Sequence, residues 1–268
     1  MDTDKPEDLN KYKEWLKKEH KIEITSLDKT YYESVSNKIK QEFEKSELWE
    51  TLIGKLKTYN DEYYIKKDGY QLLTNRESVP TLNLKSYNSF FLKTYRKNVL
   101  DNSNWPNPPN VGWILPDDWY LYINDIVRTE LIVKYLDGVE FLIEKLDLLC
   151  KEFTSTCRPD YEAKEEGYYA VHVYTKQNVE IPMRDWRTKK IDVDIEIQIT
   201  TQLQENIRKL IHKYYEVRRT RERQDDVKWQ WDYHSDEFSA NYLGHILHYM
   251  EGMIMEIREK QTKGKVKI

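Results

Sequence analysis

The stretch IDVDIEIQIT, Ile191 to Thr200, alternates without a slip. Val193, Ile195, Ile197 and Ile199 fall on one side of an extended chain, and Asp194, Glu196, Gln198 and Thr200 on the other. That period predicts a strand with one buried face and one wet face. Glutamate is a poor strand former, and a carboxylate next to an amide on a strand can also hold a metal or an attacking hydroxyl.

The neighbouring segments extend this strand into a fold. After it, TQLQENIRKLIHKYYEVRRTRER has the spacing of a long helix. Before it, GYYAVHVYT reads as a second strand, joined to the first by the polar connection KQNVEIPMRDWRTKK. Earlier still, DGVEFLIEKLDLLCKEF is an amphipathic helix with Val139, Leu142, Ile143, Leu146 and Leu149 on one side. WYLYINDIVRTELIVKYL, ahead of that, is rich in β-branched and aromatic residues and reads as a strand opened by Asp125. The first part of the chain, PEDLNKYKEWLKKEHK and the run from Thr30 to Tyr64, repeats apolar residues at three- and four-residue steps. Between the two regimes, DNSNWPNPPNVGWILPDDW reads as a loop ordered by its tryptophans. Helices followed by strand–helix–strand–strand–helix predict an α/β (α+β) fold: a mixed β-sheet flanked by helices. The expected division is an N-terminal helical extension at 1–80, a core at 81–225, and a C-terminal helical extension at 226–268 packed on it.

Composition narrows the function classes. The 268 residues carry a formal net charge of −4 with both signs interspersed, so bulk charge points to no nucleic-acid partner, although a local basic face remains open. Cys150 and Cys157 fit neither a zinc knuckle nor a secreted disulfide framework and are expected to be idle thiols. No apolar run is long enough to span a bilayer. The charged N-terminus has no signal core. The expectation is a soluble, cytoplasmic protein that meets no membrane.

Four segments could carry chemistry. In LKSYNSFFLKTYRKN, Lys85, Ser89, Lys93 and Lys97 recur at four-residue steps with Arg96 beside them, which is either a solvated lysine face or a cradle for a triphosphate. In NDIVRTELIV, Asp125, Arg128 and Glu130 interrupt an apolar strand, and an Arg128–Glu130 ion pair is the plain alternative to a site. In KEEGYYAVHVYTK, Gly167 makes a turn. Tyr168 and His172 then share one face of the following strand, while Tyr169 can join the core. An outward tyrosine at a turn is a platform for a flat group. Glu196 and Gln198 lie on the strand described first.

Read in order, these segments resemble the nucleotidyltransferase-like synthetase domain of the RelA/SpoT proteins. The family's basic motif matches Lys85, Ser89 and Lys93, and its aspartate-opened strand matches Asp125. Its Lys-x-x-Gly-Tyr motif with a histidine matches Lys164, Gly167, Tyr168 and His172. Its Glu-x-Gln-Ile-x-Thr strand matches Glu196, Gln198, Ile199 and Thr201. The resemblance spans roughly Asn83 to Arg221 and is to the small, single-domain synthetases. It departs from the family at Asn83, Glu130 and Thr200, where alarmone makers usually carry arginines.

The resemblance implies ATP bound by Lys85, Ser89, Lys93 and Arg96. It implies Mg²⁺ held by Asp125 and Glu196, and catalysis by Asp125, Glu196 and Gln198, with Glu196 taking the proton of an attacking 3′-hydroxyl. The acceptor would be met by Tyr168, His172, Lys164, Gly167 and Arg128. DIVRTELIVKYLDGVEFL and EIQITTQLQENIRKLIHKYYE are most similar to a toxic branch of toxin–antitoxin pairs that places pyrophosphate on the tRNA CCA end and blocks translation. That reading implies two partners, a tRNA acceptor end and a neutralising antitoxin protein. Two other readings stay open: an alarmone synthetase with a guanine or adenine nucleotide acceptor, and an inactive nucleotide- or partner-binding module. For a tRNA helix the basic candidates are KEWLKKEHK, RDWRTKK and RKLIHKYYEVRRTRER, the last favoured. The terminal helix offers Leu243, Ile246, Met250 and Ile254 either to a docking partner or to its own domain. His245 and His248 are expected to be structural.

Overall fold

The computed structural model describes residues 5–75, 79–116, 119–184, 187–219 and 228–265, with side chains to Leu210 in the helix ending at Arg219 and to Thr262 in the helix ending at Lys265. Contacts divide the chain into two units, 1–46 with 82–128 and 175–196, and 47–81 with 129–174 and 197–268. The division cuts across the expected 1–80, 81–225 and 226–268. Within the helical N-terminal region, the first two helices and the third belong to different units.

In the first unit, α1 (Leu9–His20) starts at Asp8, whose carboxylate accepts from the amides of Asn10 and Lys11. α2 (Ser26–Glu44) opens with a capping box, Thr25 and Asp28 bonding each other's backbone amides. The helical period of the sequence runs on past Glu44, but the helix breaks at Lys45–Ser46. β1 (Asn83–Leu84) is short, and α4 (Tyr87–Tyr95) follows it with Ser86 as N-cap. Here α1 and α2 bury their apolar stripes against α4: Tyr12 tilts against Phe91 and Tyr95, and Tyr32 stacks on Phe90 at 4.3 Å. Each such ring removed from water contributes about 1.5–3 kcal/mol. The proline-rich loop is ordered by its tryptophans, as its composition suggested. Trp105 and Trp113 pack on Trp15, and the buried Asn98 holds both backbone groups of Ile114.

A single turn, α5 (Trp119–Tyr122), occupies what reads in sequence as the start of a strand. Only Val127–Val133 forms that strand, β2, so Asp125 sits in the turn that leads into it.

The second unit contains α3 (Glu47–Lys66) and α6 (Leu136–Glu152), which pack on each other through Tyr63 and Phe141. The buried side of α6 is Phe141, Leu142, Leu146, Leu149 and Cys150, turned about one residue from the expected stripe. Cys150 and Cys157 face one another, and the hydrogen bond from Cys150, with burial, pushes the Cys157 thiol up and away from reactivity. α7 (Gln202–Arg219) and α8 (Asp236–Lys265) complete this unit.

The strands form one five-stranded mixed sheet in the order β1-β2-β5-β4-β3, with β3 Cys157–Ala163, β4 Tyr169–Pro182 and β5 Thr188–Thr201. β2, β4 and β5 each run through both units along their length. Two expectations change here. KQNVEIP is strand, with Thr175, Val179 and Ile181 buried and Lys176, Asn178 and Glu180 exposed. The polar face of β5 is wet only at its start. From Ile195 to Thr201 every residue is buried, because β5 is the central strand of the five. Glu196 is 2% exposed. Among the described residues, no helix is long and apolar enough to cross a membrane.

Candidate functional site

The first unit brings together three residues far apart in the chain. β1 pairs antiparallel with β2, Asn83 opposite Arg128 and Leu84 opposite Val127, and the Lys85 amide donates to the Ile126 carbonyl. This pairing sets Lys85 beside the turn that carries Asp125. The Lys85 Nζ lies 2.8 Å from one Asp125 oxygen, and Lys93 Nζ, from the second turn of α4, lies 3.0 Å from the other. The Tyr32 hydroxyl donates to the Lys85 carbonyl at 2.8 Å, so α2 fixes the backbone from behind.

Asp125 and Lys85 are mostly enclosed, their side chains 13% and 14% exposed. Burial alone would raise the Asp125 carboxyl, but the two ammonium groups and their hydrogen bonds hold it down to about 2. Burial lowers Lys85, with Asp125 opposing. The result is an ionised carboxylate and two cations, one positive charge in excess. A cavity of about 370 Å³ opens next to Lys85, lined by Lys29, Tyr32, Ser36 and Ser86.

The lysine stripe is built differently from its sequence reading. Lys85 precedes α4 and reaches Asp125 from extended chain. Ser89 is not the cap; its hydroxyl bonds Ser86, which is. After Tyr95 the helix widens to a π-turn, Arg96–Leu100, which re-aims its own side chains relative to those of α4. Lys97 donates to the Tyr122 carbonyl, and Arg96 turns out to Asp101 at 3.2 Å. Arg96 therefore does not join Lys85 and Lys93. Arg128 is half-buried on β2.

The second unit holds the other candidates. Gly167 has φ +77°, and a Cβ there would meet the Asn241 carbonyl at 2.4 Å, so only glycine fits. Its close approach is to Gly244 of α8. Tyr168 follows, its hydroxyl 3.0 Å from His172 Nε2, with the Lys164 ammonium 5.3 Å over its ring. Tyr169 does not enter the core: it is half-buried, bonds His245 Nδ1 at 2.8 Å and stacks on His248 at 3.7 Å. The two histidines are structural, as expected. Gln198 is buried on β5 at 7% exposure.

A second ion cluster was not foreseen. Glu130, for which a pair with Arg128 was one of two open readings, meets Arg208 of α7 at 2.6 Å; Glu205 meets the same guanidinium at 2.6 Å and Lys209 at 3.1 Å. Burial would lower Arg208, but Glu130 and Glu205 hold it charged, and Tyr168 is near enough to add to their effect. The Glu205-x-x-Arg208 spacing on one helix face was the available signal.

The basic patches are compensated in part. In KEWLKKEHK, Lys17 pairs with Glu23 and Lys18 with Glu19. In RDWRTKK, Arg184 pairs with the buried Asp28 and lies over Tyr31, while 185 and 186 fall outside the described residues. In RKLIHKYYEVRRTRER, the side chains after Leu210 also fall outside them, so the favoured RNA surface has no structural account.

Asp125 lies in the turn that leads into β2 and Glu196 on β5, the neighbour of β2 in the sheet; two such carboxylates are the sparse donor set a magnesium ion carrying substrate phosphates would take. Among the described residues, no group of three or more His, Cys, Asp or Glu is placed to hold a metal ion.

No protein-family model and no curated protein matches the chain. Several solved structures are similar to it. Small alarmone synthetase 2 from Bacillus subtilis is 17% identical, over 80% of this chain and 96% of that one, with a TM-score of 0.46. Small alarmone synthetase 1 from the same organism, bound to its product pppGpp, is 18% identical, over 80% and 92%, at 0.48. A GTP pyrophosphokinase family protein from Streptococcus pneumoniae is 17% identical, over 85% and 97%, at 0.49.

Proposed function

We propose that this chain is an ATP-dependent pyrophosphokinase whose acceptor is the 3′-hydroxyl of a tRNA end, acting as the toxin of a toxin–antitoxin pair. The observation that carries the reaction class is Asp125, mostly enclosed, ionised and held by Lys85 and Lys93. Such a group can hand its lysines to polyphosphate oxygens and turn its carboxylate to a metal. Magnesium, when bound by Asp125 and Glu196, would neutralise charge on the β- and γ-phosphates of ATP. Lys85 and Lys93 would hold those phosphates. The acceptor 3′-oxygen attacks the β-phosphorus, the bond from that phosphorus to the oxygen bridging it to the α-phosphorus breaks, and AMP leaves. Glu196 takes the hydroxyl proton. Most of the rate enhancement comes from positioning and charge neutralisation.

The Arg208 cluster supports an acceptor with little charge. With Glu130 and Glu205 on its guanidinium, and Lys209 also on Glu205, Arg208 is engaged near Tyr168 in a charge-balanced cluster and is not available to a 5′-triphosphate. Tyr168 offers a ring for the terminal adenine, an unpaired base of the kind proteins read by stacking. A second reading, an alarmone synthetase, has Arg208 itself in its favour: freed of either glutamate, it could serve a nucleotide's phosphates.

ATP labelled at the β-phosphate, offered with deacylated tRNA, GDP, GTP and AMP in separate reactions, tests both. Label on tRNA that vanishes when the 3′-adenosine is removed is the expected result. Label on a mononucleotide would replace the tRNA reading with the alarmone one, and no label transfer to any acceptor would overturn the enzyme.

A further inference from the structure

α8 is a helix turned inside out. Its side toward its own unit is polar: Asn241, Glu251 and Arg258 are buried at 1%, 4% and 8% exposure. Polar contacts hold it there. Gln204 Nε2 reaches the Gly244 carbonyl and the Glu251 carboxylate, Arg258 bonds Asp137 at 3.2 Å and lies over Tyr70 and Tyr135, and His248 stacks on Tyr169. Gly244 lets the helix approach Gly167 at backbone distance. The choice of face is therefore fixed by partners, and the apolar side points away from the unit.

That apolar side is both large and regular. Of the twenty exposed large apolar residues among those described, eight lie on this one helix, too concentrated for scattered surface. Leu243, Ile246, Met250, Met253 and Ile257 follow three- and four-residue steps, the a and d positions of a heptad repeat, and every one is exposed. A strict heptad seam fits another helix better than a flat surface or a loop. The same stripe continues to Asp236 at one end and to Lys260 at the other, both exposed. Opposite charges at the two ends make the stripe complementary to itself when two copies run antiparallel, and repulsive when they run parallel.

We propose that the chain pairs with a second copy of itself through α8, antiparallel about a two-fold axis between Ile246 and Met250. In that register Leu243 meets Met253, Ile246 meets Met250, and Asp236 of one copy meets Lys260 of the other, which exchanges its Glu256 partner for it. The contact is isologous and closes at two. It is independent of the pyrophosphokinase reading, since no residue of the stripe belongs to the candidate site.

Light scattering and sedimentation equilibrium of the full chain at about 50 μM decide it. The wild type is expected at twice the chain mass, and Met250→Lys, an exposed change that leaves the polar docking side untouched, at the mass of one. Asp236→Lys should weaken pairing at least fivefold at low salt, and Asp236→Lys with Lys260→Asp should restore it. A monomeric wild type at that concentration would overturn the proposal and leave the stripe for a helix of a different protein. So would a dimer indifferent to Met250→Lys. Failure of the double charge reversal to rescue would overturn the antiparallel register.

Discussion

The molecule contains two ion clusters of opposite composition. In one, a carboxylate, Asp125, is held by two ammonium groups, Lys85 and Lys93. In the other, a guanidinium, Arg208, is held by two carboxylates, Glu130 and Glu205. The first carries one positive charge in excess, whereas the second is balanced, because Lys209 also pairs with Glu205. A surplus cation beside a cavity attracts phosphate, whereas a neutralised arginine near an aromatic ring favours an acceptor whose flat group matters more than its charge. On the proposed reading, the contrast means that acceptor choice would be set by neutralising an arginine as well as by lacking one.

The largest expected effect comes from breaking the first cluster. Asp125→Asn keeps the shape, removes the carboxylate charge and leaves Lys85 and Lys93 without their shared anion. Pyrophosphoryl transfer should fall by about 10²–10³-fold, the range seen when one preorganised electrostatic group is lost. Initial rates at saturating ATP, with circular dichroism to confirm the fold, measure it. Activity within tenfold of the wild type would remove Asp125 from the centre of the site.

Acid sharpens the same contrast through stability. The Asp125 carboxyl is held near 2 in the folded chain, against 3.8 when free. A depressed carboxyl stabilises the fold fully above its unfolded value and loses that contribution as pH falls through the folded one. In metal-free buffer the cluster should contribute about 2 kcal/mol near neutrality, diminishing from pH 4 downward. Urea midpoints of wild type and Asp125→Asn, compared from pH 7 to pH 2, should converge at the acid end. Parallel curves would mean that the lysines do not hold the carboxylate in solution.

On the acceptor side, Tyr168→Ala should slow transfer about 5- to 150-fold while the Kd for ATP stays unchanged, since stacking a base on an aromatic ring contributes about 1–3 kcal/mol. Tyr168→Phe keeps the ring and loses the hydroxyl that bonds His172, so it should stay within a few-fold of the wild type. Equal losses in the two variants would move the role of Tyr168 from its ring to its hydroxyl.

How much of this was legible depended on where each partner sat in the sequence. Lys93 and Asp125 stood out because a lysine at helical spacing and a charge amid apolar residues are local signals. Lys85 was found for the wrong reason: its step of four to Ser89 suggested a helix that in fact begins at Tyr87, and strand pairing delivers it to Asp125. The burial of Glu196 could not be read, because alternation does not reveal that a strand is central. Arg208 was missed because its partner Glu130 lies on a distant strand and its own helix is dense with charges. The stripe of α8 was visible, at Leu243, Ile246, Met250 and Ile254, but the polar side that docks gave no hint of doing so. The partners that satisfy Glu251 and Arg258 come from α7 and α6, and no period in α8 encodes them.

The smallest expected change tests the second cluster directly. Glu130→Gln keeps a hydrogen-bond acceptor for Arg208 and removes one of the two negative charges, leaving Arg208 and Lys209 to share Glu205. If neutralised arginine is what disfavours a phosphate-rich acceptor, GTP or GDP should gain on tRNA by several-fold to tenfold in the ratio of kcat/KM, a shift of about 1 kcal/mol in relative transition-state binding. The change should appear with nucleotide acceptors alone and diminish with added salt, because a partly exposed charge is screened. Tyr168→Ala in the same background should then remove use of either acceptor, since both present a base to the ring. A Glu130→Gln enzyme with an unchanged acceptor ratio would reduce Glu130, Arg208 and Glu205 to a brace between β2 and α7, and acceptor choice would have to come from the shape around Tyr168.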